Sequence, residues 1–240
     1  MSKRFVIAAV AIIGVLALAL LATTIPTTTR AENFENPPPG AVKWKVIDYN
    51  RIQTHPARIP YKIPGGIGFD FLSTPDTALL GTSHPSYRGD LWGNMTGKTI
   101  SATVGVTVTP GSAFEYYGQP DDCGTPASVR FYFQTDTSGK FEETDYWWSN
   151  PVSKDLQTLA AIQPLDDTMS VAFSNPAMWS DYNGHFGNNP TYNAAFLKAV
   201  KDVQFVGLSF GGGCFFENGV GIQSGTGSGY FRLMDFTATP

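Results

Sequence analysis

Charge is what this chain has least of. Asp, Glu, Lys and Arg together make up 15% of its 240 residues, against about a quarter in an ordinary soluble domain. With 25 glycines and 13% aromatics beside them, so few charges suit short apolar strands joined by turns better than a helical fold. Cations are the scarcer sign, 16 Lys and Arg facing 20 Asp and Glu. Lys3, Arg4 and Arg30 fall in a leader, and without them the rest of the chain is near −7. That balance argues against nucleic acid or an anionic membrane surface as a partner. Cysteine is limited to Cys123 and Cys214. With no C-x-x-C and no His/Cys cluster, a structural zinc site is not expected.

Long apolar runs are missing everywhere except at the N-terminus. Ser2, Lys3 and Arg4 precede an uninterrupted apolar stretch over 5–22, and Thr29-Arg30-Ala31 offers a small-x-small cleavage site. Residues 1–31 are therefore expected to be a signal peptide. The apolar stretch also reaches the lower length limit of a membrane span, so an uncleaved N-terminal membrane anchor is the alternative. Both readings make the body of the protein secreted or extracytoplasmic, with membrane contact only through that segment. In such a compartment Cys123 and Cys214, about 90 residues apart, are expected to form a disulfide. Two separate buried thiols are the alternative.

Residues 32–67 read as a proline-rich spacer and N-terminal extension, and 68–240 as the folded domain. Within the extension, 33–40 (NFENPPPG) is stiff, 42–47 alternates like a first strand, and 51–66 is loop or edge structure. The clearest period-two signal puts Ile100, Ala102, Val104, Val106 and Val108 on one face, with Ser101, Thr103, Thr107 and Thr109 on the other. Residues 128–134 repeat it with Val129, Phe131 and Phe133 inward. Further strands are expected over 141–149, 159–163, 169–173 and 230–236. A single helix is expected over 190–201, capped by Asn189 with Pro190 in its first turn. The fold class that follows is all-β: an antiparallel β-sandwich of jelly-roll type with one short connecting helix.

The order of landmarks carries a family resemblance. Residues 78–81 (ALLG), then 87–91 (YRGDL), then the alternating strand at Ile100, resemble the opening of laminin IV type (laminin B) domains. Trp179-Ser180, Gly184 and the run 196–203 (FLKAVKDV) leading into 205–209 (FVGLS) resemble that domain's second half. The resemblance covers roughly 68–238, in what looks like an exported bacterial protein. It implies a jelly-roll sandwich similar to galactose-binding-like modules, with no catalytic residues to transfer. The cysteine-rich repeats that flank the animal domain are missing, so no extended matrix architecture carries over.

Candidate chemistry is sparse. Residues 207–211 (GLSFG) match the nucleophile-elbow pattern around Ser209, but that elbow needs a helix directly after the serine. Here Gly211, Gly212 and Gly213 follow, a poor helix start, and His55, His84 and His185 all precede Ser209. Ser209 is read as a strand residue. The glycine-rich run 219–225 lacks dinucleotide-loop spacing and is read as a hairpin. The strongest binding feature is Asp145-Tyr-Trp147-Trp148-Ser-Asn150. Adjacent strand residues point to opposite faces, so one indole is expected in the core and the other exposed or under a loop. With Asp145 and Asn150 beside it, such an indole can stack on a sugar face. Trp179 is a second ligand-binding candidate. Carboxylates Glu142, Glu143, Asp145 and Glu217 would serve a glycoside hydrolase or lyase. No cofactor is expected, although Asp121, Asp122 and Asp235, with Asp166 and Asp167, are loose calcium candidates. The leading expectation is an exported, non-catalytic module that binds a glycan or other cell-surface polymer. A polysaccharide-active enzyme and a purely structural surface protein are the alternatives.

Overall fold

The computed structural model describes residues 43–49, 55–117, 126–138, 140–212 and 219–240. The chain first forms β1 (Lys45–Asp48), β2 (Tyr61–Ile63), β3 (Gly66–Asp70), β4 (Thr77–Thr82), β5 (Thr99–Val108) and β6 (Phe114–Tyr116). Then come β7 (Ser128–Gln134), β8 (Tyr146–Asp155), α1 (Leu156–Ala161) and β9 (Asp167–Ala172). It closes with α2 (Asn193–Lys201), β10 (Phe205–Gly211), β11 (Val220–Ile222) and β12 (Gly229–Thr239). One sheet has seven strands in the order β6-β11-β4-β10-β7-β8, with β1 also on β4. The other has five, in the order β2-β3-β12-β5-β9. All ten strand pairings are antiparallel. The result is an all-β sandwich.

Alternation builds the layers. Along β5, Ile100, Ala102, Val104 and Val106 have no exposed surface, and β12 runs the whole length beside them, from Thr99 opposite Thr239 to Val108 opposite Gly229. Facing them on the other sheet are Val129, Phe131 and Phe133 of β7 and Val206, Leu208 and Phe210 of β10, all buried. Phe210 meets Phe231 at 5.0 Å and Phe69 at 5.4 Å between ring centroids. Burying each such side chain contributes about 1.5–3 kcal/mol. β4 and β10 are buried along their whole length, which a strand shows when both faces are covered.

Two expectations need correction. The strand expected over 159–163 is helical. The Asp155 side chain accepts the Thr158 N–H at 2.7 Å as an N-cap, and Leu156, Leu159 and Ala160 form its buried face. There are thus two helices among the described residues, not one. The second begins at Asn193 rather than at Pro190. Asn189 organises the preceding turn, its Oδ1 accepting the Thr191 N–H at 3.0 Å and its carbonyl those of Tyr192 and Asn193. Trp44 and Val46 lie in the core, β1 pairs with β4 and β2 with β3. The extension, as far as it is described, completes the sandwich.

Candidate functional site

The seven-stranded sheet carries an apolar patch among its outward positions. Ile47 stands opposite Leu79 across β1 and β4, and Leu79 opposite Ser209 on β10. Tyr132 pairs with Trp148 across β7 and β8, and Gln134 with Tyr146. Gly81 and Gly207 face one another near the middle. A Cβ on Gly81 would come within 2.5 Å of the Phe205 ring, so its absence lets that ring lie flat on the sheet. Ala78, Leu79, Tyr132, Trp148 and Phe205 form a small buried cluster separate from the main core, rimmed by half-buried Ile47, Tyr49, Tyr146 and Tyr182.

Phe141 projects over this rim with 56% of its surface exposed. Its ring stacks on Tyr146 at 5.5 Å and 23°, and meets Tyr182 edge-on at 4.8 Å and 81°. The rings enclose a cleft of about 370 Å³ that reaches down to Trp148, Tyr132 and Leu79. Among the described residues, no Asp, Glu, Lys, Arg or His lines it. The one amide among the described lining residues is Gln134, whose Oε1 accepts the Tyr132 hydroxyl at 2.6 Å while Nε2 donates to the Asp136 carbonyl at 2.7 Å.

The Tyr182 wall is held by Asp181, whose carboxylate is fully buried. Oδ1 accepts the N–H groups of Asn183 at 3.0 Å and His185 at 2.9 Å, and Oδ2 lies 3.1 Å from His185 Nδ1. The His185 ring stacks on Tyr192 at 3.9 Å and 9°. A buried carboxylate with three partners fixes the turn that carries Tyr182.

The two adjacent tryptophans do divide between the faces. Trp147 sits in the main core with no exposed surface and gives its Nε1–H to the Thr144 carbonyl at 2.7 Å. Trp148 is equally covered but lies on the outer side, its Nε1 donating to Ser209 Oγ at 3.1 Å. Neither indole is an open platform. The exposed ring at this site is Phe141, which the sequence reading passed over. Trp179 is also a core residue, stacked on Phe173 at 5.1 Å and bonded to the Ala172 carbonyl at 3.1 Å. Asn150 is engaged in the structure, accepting from Arg130 and donating to Ser180 Oγ. Asp145 accepts the Thr135 hydroxyl at 2.7 Å and lines a second, polar pocket of about 260 Å³ with Glu142, Lys198 and Asp202. Glu143 is exposed in the 3₁₀ turn Glu143–Asp145.

Ser209 lies in the middle of β10, with no helix following it within the described chain. Its hydroxyl serves the Trp148 indole. Of the calcium candidates, Asp166 bonds Arg232 at 2.8 Å and Asp167 bonds Lys154 at 2.5 Å. Asp235 stands on β12, and no group of three or more His, Cys, Asp or Glu suited to a metal ion occurs among the described residues. Asp121, Asp122, Cys123, Cys214 and Glu217 lie outside the described residues. Comparison with protein-family models, with curated proteins and with solved structures gives no match.

Proposed function

We propose that this protein is an exported, non-catalytic β-sandwich module that binds a glycan of a cell surface or extracellular polymer in the cleft beneath Phe141. The observation that carries the reading is the aromatic outer face, with an exposed Phe141 stacked on Tyr146 and walled by Tyr182. Ligand clefts are concave, mostly apolar, and span about 300–1,000 Å³; this one is of that kind at the small end. Rigid aromatic rings give large contact area at low entropic cost. The leader over 1–31 supports export, and the order in which β4, β5, α2 and β10 follow one another supports kinship with laminin IV type domains. On a panel of immobilised polysaccharides, Phe141→Ala and Tyr182→Ala should weaken binding by about tenfold or more, worth about 1.4 kcal/mol. Undiminished binding by both variants would overturn the reading.

A Cys123–Cys214 disulfide belongs to the same proposal. What supports it is the pairing of Ser128 with Gly211, with Cys123 five residues before the one and Cys214 three after the other in sequence. Closing a loop of about 90 residues stabilises the fold by about 4–5 kcal/mol in the chain-entropy model. Intact mass after alkylation should show two blocked thiols only when reductant is added; labelling without reductant would contradict it.

A further inference from the structure

Among the described residues the cleft lining is uncharged, on a molecule whose mature part is near −7, and the one amide among them is held in one orientation. Gln134 Oε1 takes the Tyr132 hydroxyl, and Nε2 gives one hydrogen to the Asp136 carbonyl. A primary amide carries two N–H donors and two acceptor lone pairs, so each end of Gln134 keeps one bond to offer. The half-buried side chain opens on the cleft, directly across from Tyr146. Cross-strand neighbours on one face stand about 4.5–5.5 Å apart, which places the amide beside the ring on which Phe141 stacks. One donor and one acceptor side by side, next to a flat aromatic wall, complement two adjacent hydroxyls on a sugar ring whose C–H face lies on the aromatics.

We infer that Gln134 is the specificity-determining polar residue of the cleft and that its ligand is a neutral pyranose, at a chain end or side branch, rather than a uronic acid or a sulfated sugar. This rests on the glycan reading above and narrows it. Lys140 and Glu142 flank Phe141 in sequence but do not line the cleft, so a charged ligand would leave its ion unpaired against rings and an amide, which is costly. The small volume fits one end of a glycan rather than a long stretch of chain.

The test is equilibrium titration of the mature chain with soluble neutral glucans and galactans, polygalacturonate and a sulfated glucan, at about 0.01 M and about 1 M salt, between which screening shortens from about 30 Å to about 3 Å. A neutral glycan should bind equally at both salts. Gln134→Glu keeps an acceptor for Tyr132 but loses the donor and gains a charge. Gln134→Met loses both groups at similar length. Each should bind that glycan about tenfold more weakly, with the melting temperature followed alongside to show that the variant is folded. A neutral glycan bound as well by folded Gln134→Glu and Gln134→Met as by the wild type would overturn the assignment. Binding of polygalacturonate or the sulfated glucan that is lost in Phe141→Ala would overturn the neutral-ligand inference and leave the cleft standing. Failure of every probe to bind, or binding indifferent to Phe141→Ala, would remove the glycan reading itself.

Discussion

On β5 and β9 of the five-stranded sheet the outward positions are largely short and hydroxylated. Ser101 bonds Ser170 at 2.9 Å, Thr103 meets Thr168 at 3.0 Å, and Arg232 lies across Gly105 to reach Asp166 at 2.8 Å and Thr107 at 2.7 Å. On the seven-stranded sheet the same kind of position holds Ile47, Leu79, Phe205, Tyr132, Trp148 and Tyr146. Both sheets share one core and both alternate, so the contrast does not come from the fold. Antiparallel sheets normally solvate one face, and the first does so with groups that bond one another and water. The second accumulates rings and covers them with Tyr182 and Phe141. Contiguous outward apolar surface on a soluble domain marks a place meant to be covered, and here a cleft remains over it.

The comparison can be broken from either side. Trp148→Ala should cost the most, about 3–5 kcal/mol, because it empties a fully buried outer site as a core truncation would; chemical denaturation measures it. Arg232→Ala on the opposite face should cost about 1–3 kcal/mol, since Asp166, Thr107 and the Pro164 carbonyl lose a shared donor. Ser209→Ala removes one acceptor from the Trp148 indole and should cost about 0.5–1.5 kcal/mol, with glycan binding retained. A loss of binding out of proportion to that change would reinstate a direct role for the hydroxyl.

The smallest effect is a pH effect. Burial raises the Asp235 carboxyl above its ordinary range, opposed by the Phe236 N–H. A raised folded-state pKa means that the native chain holds this proton more tightly than the unfolded one. The stability it contributes is therefore present in acid and lost as pH rises through the folded-state value. Asp235→Asn cannot ionise, so it should melt slightly above the wild type at about pH 7, with the gap closing by about pH 3. An unchanged gap across that range would contradict this account.

How much of this could be read from sequence depends on how many segments a feature draws on. β5 is legible alone, because one buried face forces strict alternation from Ile100 to Val106. α1 was misread because Leu159, Ala160 and Ile162 form a short apolar run that suits either element; the deciding signal is Asp155 three residues before Thr158, with Leu156 and Leu159 one turn apart. The opposite orientations of Trp147 and Trp148 follow from strand geometry, but their shared burial does not. Trp148 is covered by Tyr182, which comes from a turn some thirty residues on and is set there by Asp181. The cleft draws on β1, β4, β7, β8 and two loops, a conjunction that no local window contains. One local sign was available: Tyr132 and Gln134 follow Arg130 in the outward positions of 128–134, where the last two carry no charge.

The central claim is that the two outer faces differ in purpose. Its most direct test is a titration of one neutral glycan against Phe141→Ala and Thr103→Ala, one exposed or half-exposed substitution on each face. Surface changes of this kind are expected to shift stability by no more than about 0.5 kcal/mol. Phe141→Ala should bind about tenfold more weakly or worse while Thr103→Ala binds as the wild type does; equal binding by the two variants would contradict the account.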